Sequence, residues 1–537
     1  MESTIQLFDT TLRDGTQGEG VSLSVEDKLK IAKKLDELGI HYIEGGWPGS
    51  NSKDIEFFNR VQELHLKHAK IAAFGSTRRK ESLAEQDANL LKIVDSGAQV
   101  ASIFGKSWDF HVHTAIQTTL EENLAMVSDS VAFLKRSGLE VLYLGEHFFD
   151  GYKSNPEYAL QTIAAAQAAG ADAIVLCDTN GGSLPDEVYS IVSAVKEHIH
   201  ITIGIHAHND CDLGVANTLA AVKAGATHVQ GTFNGYGERC GNANLSSIIP
   251  NLQIKLGYSC VTEQQLMTLT PTARYISEIA NMSMPVSQPY VGMAAFAHKG
   301  GIHVSAILKD ATTYEHIIPE KVGNKQRVLV SELAGQSNLM SKALELGIDL
   351  DQSNKAREVI QKIKELEHEG FQFEGADASL ELLLREAMGT IEESFTVESF
   401  KILVEKASDR GNITEAIVRI KVQDQLILTA GEGNGPVNAL DNALRKALLP
   451  YYPDIMNVHL TDYKVRVLDE QGATAAKVRV LVESTDANNA WSTVGVSSNV
   501  IEASWLALVD SIRYALIGKQ PIESLNAERE RLGLVNH

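Results

Sequence analysis

The stretch Val141-Leu-Tyr-Leu144, followed by Tyr158-Ala-Leu-Gln-Thr-Ile-Ala-Ala-Ala-Gln-Ala-Ala-Gly170-Ala-Asp-Ala-Ile-Val-Leu-Cys177, decides the fold. Residues 158–177 form the most apolar long window of the chain, yet Gln161, Gln167, Gly170 and Asp172 interrupt it. That pattern is an Ala-rich helix, a glycine stop and a buried strand, so a membrane span is not expected. Strand, helix, glycine, strand is the parallel βα unit. Outward from it the unit recurs, with candidate strands at Ile5–Phe8, Tyr42–Gly45, Ile71–Phe74, Val100–Phe104, Ile201–His206 and Val229–Phe233. Amphipathic segments such as Val25–Leu38 and Glu121–Lys135 lie between them, and Gly39, Gly138 and Gly170 stand where helix caps are expected. Eight strands and eight helices in about 255 residues predict an α/β fold, a (β/α)₈ TIM barrel. An open doubly wound sheet competes, but it normally shows a Gly-rich fingerprint after its first strand, and none is present.

Beyond about residue 260 the alternation stops. Residues 261–400 read as mainly helical, including the charged periodic stretch Lys355–Glu369. From about 412 to 518 a strand–strand–helix pattern occurs twice. Val418–Val422 with the helix Pro436–Leu448 is echoed by Val478–Val482 with Asn499–Leu516, each with a glycine, Gly433 or Gly495, before the helix. This duplication predicts a small C-terminal α+β module. It carries no cluster of His, Cys or carboxylates, so binding or assembly is its expected job. The domains expected are thus 1–260, 261–400 and 401–520, with a tail at 521–537.

Composition narrows the function. Across 537 residues, 48 Lys+Arg against 69 Asp+Glu give a net charge of −21. That balance argues against a nucleic-acid binder, because phosphate recognition needs a basic surface. Cys177, Cys211, Cys240 and Cys260 are too few and too unevenly spaced for a disulfide framework or a CxxC zinc site. The N-terminus has no basic region followed by an apolar one, so no secretory signal is read. A cytoplasmic protein without membrane partners is expected.

In such a barrel the C-terminal strand ends form the active site. Strand one ends in Phe8-Asp-Thr-Thr-Leu-Arg13-Asp14-Gly, strand seven in His206-Ala-His208-Asn-Asp, and strand eight runs into Asn234-Gly-Tyr-Gly-Glu-Arg-Cys-Gly-Asn242-Ala-Asn244. Residues two apart on a strand share a face, so His206 and His208 can converge on one ion. With Asp14 they make two imidazoles and a carboxylate, enough to hold a divalent metal with positions open to substrate. The bland alternative is a pair of packed or solvated histidines. Arg13 offers a planar fork for a carboxylate or keto oxygen, or else a buried pairing with Asp9 or another acid. Thr179 could donate to a substrate carboxylate or be only a turn residue of Thr-Asn-Gly-Gly. Glu146, after strand five, could move a proton or be a solvated loop acid.

Phe8–Gln17 closely resembles the opening motif of the DRE-type metal-dependent TIM-barrel superfamily. That superfamily holds the isopropylmalate, homocitrate and citramalate synthases, with some CoA-ester lyases and biotin-dependent carboxyltransferases. The likeness extends to His206–Asp210, Gly237–Ala243, His298-Lys-Gly-Gly-Ile-His303 and, in the C-terminal module, Gly435-Pro-Val-Asn-Ala-Leu440. It covers nearly the whole chain. Glu44–Asn51 and Thr493–Trp505 look most like the long-form citramalate branch.

The resemblance implies a Claisen-type condensation of acetyl-CoA, as co-substrate, with a 2-oxo acid, pyruvate before the larger ones, on a divalent ion (Mg, Mn or Zn). It implies Asp14, His206, His208 and Asn242 as metal ligands. It implies Arg13 and Thr179 on the 2-oxo acid, with Tyr143 among a mostly apolar wall of Phe74, Phe104, Leu142 and Leu144. Glu146, His303 and Tyr314 fall in the catalytic set, the last two supplied by the second subunit of a homodimer. The C-terminal module resembles an allosteric domain, with isoleucine as the expected effector. The family commonly has adjacent acids after strand five, whereas this chain reads Gly145-Glu146-His147. Cys240 is expected to pack. Isopropylmalate or homocitrate synthesis, a metal-dependent lyase or decarboxylase, a non-catalytic regulator and an iron oxygenase are the other readings. The lyase would need neither His298–His303 nor the duplicated module, and a regulator should have lost metal ligands.

Overall fold

The computed structural model describes residues 4–330, 336–346, 348, 355–407, 411–468, 476–486 and 489–519. They fall into two compact units, Met1–Phe296 with His316–Gln326, and Ala297–Glu315 with Arg327–His537. The expected tail at 521–537 lies outside the described residues.

In the first unit eight parallel strands close into a barrel: β1 (Gln6–Asp9), β2 (Tyr42–Gly46), β3 (Lys70–Ser76), β4 (Val100–Lys106), β5 (Glu140–Glu146), β6 (Ala173–Asp178), β7 (Thr202–Ala207) and β8 (His228–Gly231). Closure is the pairing of β8 with β1, which sets Gln6 opposite His228 and Asp9 opposite Gly231. The expected barrel is therefore what forms. Period-2 alternation divides each strand between two cores. One face packs outward under the helices, with Leu7, Ile43, Val141, Ile174 and Val229. The other fills the lumen with Phe8, Ala72, Val100, Leu142 and Val175.

Local chemistry starts and stops the helices. Ser24 and Asp27 form a capping box on Val25–Leu38, which ends at Gly39 with φ 91°. Most strand ends lie within one or two residues of expectation, and two larger differences matter. β8 stops at Gly231, because Phe233 enters a short 3₁₀ turn, Phe233–Gly235, with Asn234 at φ 59°. The barrel unit also runs past residue 260, since helix Leu269–Ile279 buries Leu269, Ala273 and Ile276 against the outer core.

In the second unit a two-stranded parallel sheet pairs Ala297–His298 with Arg327–Val328. Helices Gly301–Ile307, Gln336–Glu345, Lys355–Glu369 and Asp377–Met388 follow the chain around it. The duplicated module then contains three strands per repeat where two were expected. Thr396–Ala407, Gly411–Val422 and Gln425–Gly433 make one antiparallel sheet, and His459–Val467, Val478–Thr485 and Ala490–Ser497 the other. The first strand of each is an edge strand that leaves apolar residues such as Leu403, Val404, Val465 and Val467 exposed, so it shows no clean buried alternation. Each sheet is crossed by its helix, Pro436–Leu448 or Val500–Ala515, where glycine clears the path. A Cβ at Gly433 would lie 2.4 Å from the Ala439 nitrogen, and one at Gly495 would lie 2.1 Å from the Ala503 oxygen. Along the helix Pro436–Leu448, Leu440, Leu444 and Leu448 are buried, whereas Val437 is only half-buried. Among the described residues no helix is long and apolar enough to cross a membrane.

Candidate active site

The loop after β1 is tied down before it reaches the site. Asp9 is fully buried and accepts from the Thr11 amide (2.9 Å) and hydroxyl (2.8 Å). The Thr11 hydroxyl in turn accepts from the Phe233 amide at 2.9 Å, stitching the end of β1 to that of β8. Burial pushes the Asp9 carboxyl up to about 7. Beyond this stitch the chain presents Arg13 and Asp14.

Asp14, His206 and His208 converge. Their ligand atoms all lie within 4.8 Å of one another and all three residues are buried. His206 Nε2 is 3.3 Å and His208 Nε2 3.9 Å from Asp14 Oδ2, and the two imidazole nitrogens are 3.4 Å apart. Burial raises the Asp14 carboxyl, but Arg13 and His206 outweigh it and hold the group well below the usual carboxylate range. Burial, with the neighbouring His206, pulls His208 down to about 3. A carboxylate and a neutral imidazole are the donor forms a divalent cation requires.

Asn242 reaches the same corner by a fold-back. The loop after β8 returns over the end of β7, with the Ala243 amide on the Ala207 carbonyl at 2.8 Å and an antiparallel bridge between Asn242 and His208. Gly241 makes the return possible: its φ is 85°, and a Cβ there would sit 1.9 Å from the Gly235 oxygen. Both amide atoms of Asn242, and Asp14 Oδ1, are buried without a hydrogen-bond partner. Orphaned buried donor atoms around two imidazoles fit a bound cation.

Arg13 lies beside this cluster. Its Nε donates to Glu44 Oε2 at 2.7 Å, its Nη1 is 3.3 Å from Asp14, and its guanidinium sits 3.8 Å over the Phe74 ring. Burial works against its charge, yet Glu44 and Asp14 outweigh that and raise its pKa. Its acid partner is thus Glu44 rather than Asp9. Glu44 heads the Glu44–Asn51 motif but was given no role in the site, and its signal was an acid inside an apolar strand end.

A cavity of about 220 Å³ opens over the cluster, lined by Arg13, Asp14, Thr179, Glu146, His206 and His208 together with Trp47, Phe74, Phe104 and Leu144. Thr179 Oγ1 accepts from the His147 amide at 2.9 Å, which leaves its O–H free to donate. Arg239 fixes that loop, bidentate on Asp210 and on the Thr179 carbonyl at 2.7 Å. Glu146 lines the cavity and pairs with Lys106. Its neighbour His147 instead packs at a tilt against His111, ring centroids 4.2 Å apart, so of these residues at the end of strand five the acid itself faces the site.

Three expectations need correction. Tyr143 is not a wall of this cavity. It falls on the outward face of β5, fully buried under the helices, so its side chain packs and binds no substrate. Leu142 faces the lumen but lies deeper, within the barrel's apolar layer. Cys240 does not pack: it is exposed on the fold-back loop. His303 and Tyr314 belong to the second unit, where their rings stack at 4.1 Å.

The chain belongs to the HMGL-like family, whose profile matches residues 4–276. The profile described as homocitrate synthase post-HMGL domain-like matches 290–370, and the LeuA allosteric (dimerisation) domain matches 374–516. Within that class it is 55% identical to the (R)-citramalate synthase of Aquifex aeolicus, over 96% of this chain and 98% of that one. It is 53% identical to that of Geobacter sulfurreducens, over 97% and 99%. A probable 2-isopropylmalate synthase of Methanopyrus kandleri is 32% identical over 95% and 98%.

Proposed function

We propose that this chain condenses acetyl-CoA with pyruvate to give citramalate and CoA, a step toward isoleucine carried out in the cytoplasm. The observation that carries the reading is the Asp14–His206–His208 cluster beside Arg13 in a chain so close, along its whole length, to citramalate synthases. Asp14, His206, His208 and Asn242 would hold a divalent metal, which supplies Lewis acidity to a ketone oxygen. Arg13 clamps the 2-oxo acid and stabilises charge on that oxygen, and the Thr179 hydroxyl donates to its carboxylate. Glu146 and His303 are the acid–base groups: one removes a proton from the acetyl methyl, the new C–C bond forms at the ketone carbon, and the ketone oxygen gains a proton. Hydrolysis of the thioester then releases CoA and makes the reaction irreversible.

A second cavity, of about 290 Å³, shares Phe104 with the first and is bordered by Arg78, Arg79, Lys80 and Lys106. Arg78 is committed to Glu122 and Asp129, but Arg79 is exposed. An apolar channel with a cationic rim suits the pantetheine arm and phosphates of acetyl-CoA.

Pyruvate is favoured by the wall. Trp47, Phe74 and Phe104 pack against one another with ring centroids 5.3–5.9 Å apart and crowd the cavity, and Arg13, the one Lys or Arg among its described lining residues, already faces Glu44 and Asp14. A second substrate carboxylate, as in 2-oxoglutarate, would meet Glu146 and Glu238. Offered acetyl-CoA with pyruvate, 2-oxobutyrate, 2-oxoisovalerate and 2-oxoglutarate in turn, with free CoA monitored, the enzyme should show its highest kcat/KM on pyruvate. Packing alone discriminates one extra methyl by roughly 10–200-fold, so residual use of the larger acids is expected. A preference for 2-oxoisovalerate would instead assign isopropylmalate synthesis.

The duplicated module is the allosteric site in this reading, with isoleucine as effector. A truncation placed before Thr396 removes the paired strands Thr396–Ala407 and Gly411–Val422 together. The truncated enzyme should lose isoleucine inhibition and keep some catalysis. Unchanged inhibitory potency would remove the module from regulation.

A further inference from the structure

Behind His206 the barrel lumen holds a polar column that the reaction itself does not use. Val229 packs outward, so alternation along β8 turns His228 and Gln230 into the lumen, where both are 0% exposed. Gln230 lies between two imidazoles. Its Oε1 is 3.1 Å from His206 Nδ1 and its Nε2 is 3.3 Å from His228 Nε2. The rings of Phe8 and Tyr42 flank His228, with centroids at 5.4 and 5.6 Å, and the apolar layer of the lumen surrounds it. Burial pulls His228 down to about 3, so it is a neutral acceptor.

A carboxamide donates only from nitrogen and accepts only at oxygen. The column therefore has a direction: His228 accepts from Gln230, and Gln230 accepts from the Nδ1–H of His206. A neutral imidazole with its proton on Nδ1 carries a bare lone pair on Nε2. That atom is the one 3.3 Å from Asp14 and 3.4 Å from His208. Three polar side chains in an apolar lumen cost desolvation that packing does not require. Orienting a ligand is a use that explains them.

We propose that Gln230, held in turn by His228, is the positioning residue that fixes the tautomer and ring angle of His206 for metal binding. The proposal rests on the reading of Asp14, His206 and His208 as a metal site, and the wild-type control separates the two.

The test is direct titration of metal-free full-length protein with Mn²⁺, read as free Mn²⁺ by electron paramagnetic resonance, on the wild type, Gln230→Met and Gln230→Glu. Loss of an outer partner of a metal-ligating histidine weakens binding about 10–100-fold, and that rise in Kd is expected for Gln230→Met. Gln230→Glu keeps the acceptor for the Nδ1–H, so its Kd should stay within about threefold of the wild type or fall below it. A role confined to packing would lower the melting temperature of the metal-free variants and leave Kd unmoved. Wild-type affinity in Gln230→Met overturns the positioning role, as does a loss in Gln230→Glu equal to that in Gln230→Met. If Gln230→Met does not fold, the Gln230→Glu arm decides: retained affinity supports the proposal and a tenfold loss refutes it. A wild type that takes up no Mn²⁺ refutes the metal site, and the proposal with it.

Discussion

Replacing Asp14 or His206 by alanine should lower kcat/KM by on the order of 10³-fold or more, since a metal centre supplies several kcal/mol to charge stabilisation and each 1.36 kcal/mol is tenfold. Asp14 is the anchor of the site. Its carboxylate is held ionised by Arg13 and His206, it is nearly fully buried, and one oxygen has no partner in the protein. Asp14→Ala removes the anionic ligand and also leaves Arg13 with Glu44 alone. His206→Ala removes the imidazole nearest to that carboxylate. Both variants should contain less than the wild-type equivalent of tightly bound metal. Chelating the wild type should reproduce the loss, and adding back Mg²⁺, Mn²⁺ or Zn²⁺ in turn should identify which ion restores it. Full turnover in a chelated sample shown by elemental analysis to be free of metal would remove the ion from the mechanism.

A mixture of two dead proteins should regain activity. We propose a homodimer whose active site is shared, with His303 and Tyr314 of one subunit serving the barrel of the other. The LeuA dimerisation domain supports the dimer. The two rings stack on each other at 4.1 Å, which supports their serving the site together. His303→Ala and Asp14→Ala subunits damage opposite halves of such a site, and a hybrid dimer carries one intact site and one doubly damaged one. A random mixture puts about half its dimers in the hybrid form, so roughly a quarter of wild-type activity should return. The check is to mix the two purified variants, follow exchange with differently tagged subunits, and assay CoA release. Demonstrated exchange with activity at background would place each site within one chain.

The barrel was legible in the sequence because its signal is local and repeated. Each strand is a short apolar run, several helices end at a glycine such as Gly39, Gly138 or Gly170, and eight copies leave little room for another fold. The candidate metal cluster was legible for a similar reason. His206 and His208 sit two apart on one strand, so alternation alone puts them on one face, and the fold brings Asp14 to the same end. The C-terminal duplication showed its helices and its central strands, but not Thr396–Ala407 or His459–Val467. An edge strand buries one thin face and so writes a weak pattern.

Tertiary structure decided what depends on which way a side chain turns at a strand end. Tyr143 and Leu144 are neighbours of similar apolar character, yet the pleat sends one under the helices and the other to the cavity. Glu44 became the partner of Arg13 because strand pairing sets Asp9 of β1 beside Ile43 of β2, a proximity that no spacing of 31 residues encodes. The pairings of Gln230 with His206, and of the Thr179 loop with Arg239, arise the same way. Sequence specifies which residues share a face over a few positions, through backbone geometry. Which faces meet across the barrel is fixed only when eight strands close in register, and that closure places the partners of the catalytic groups.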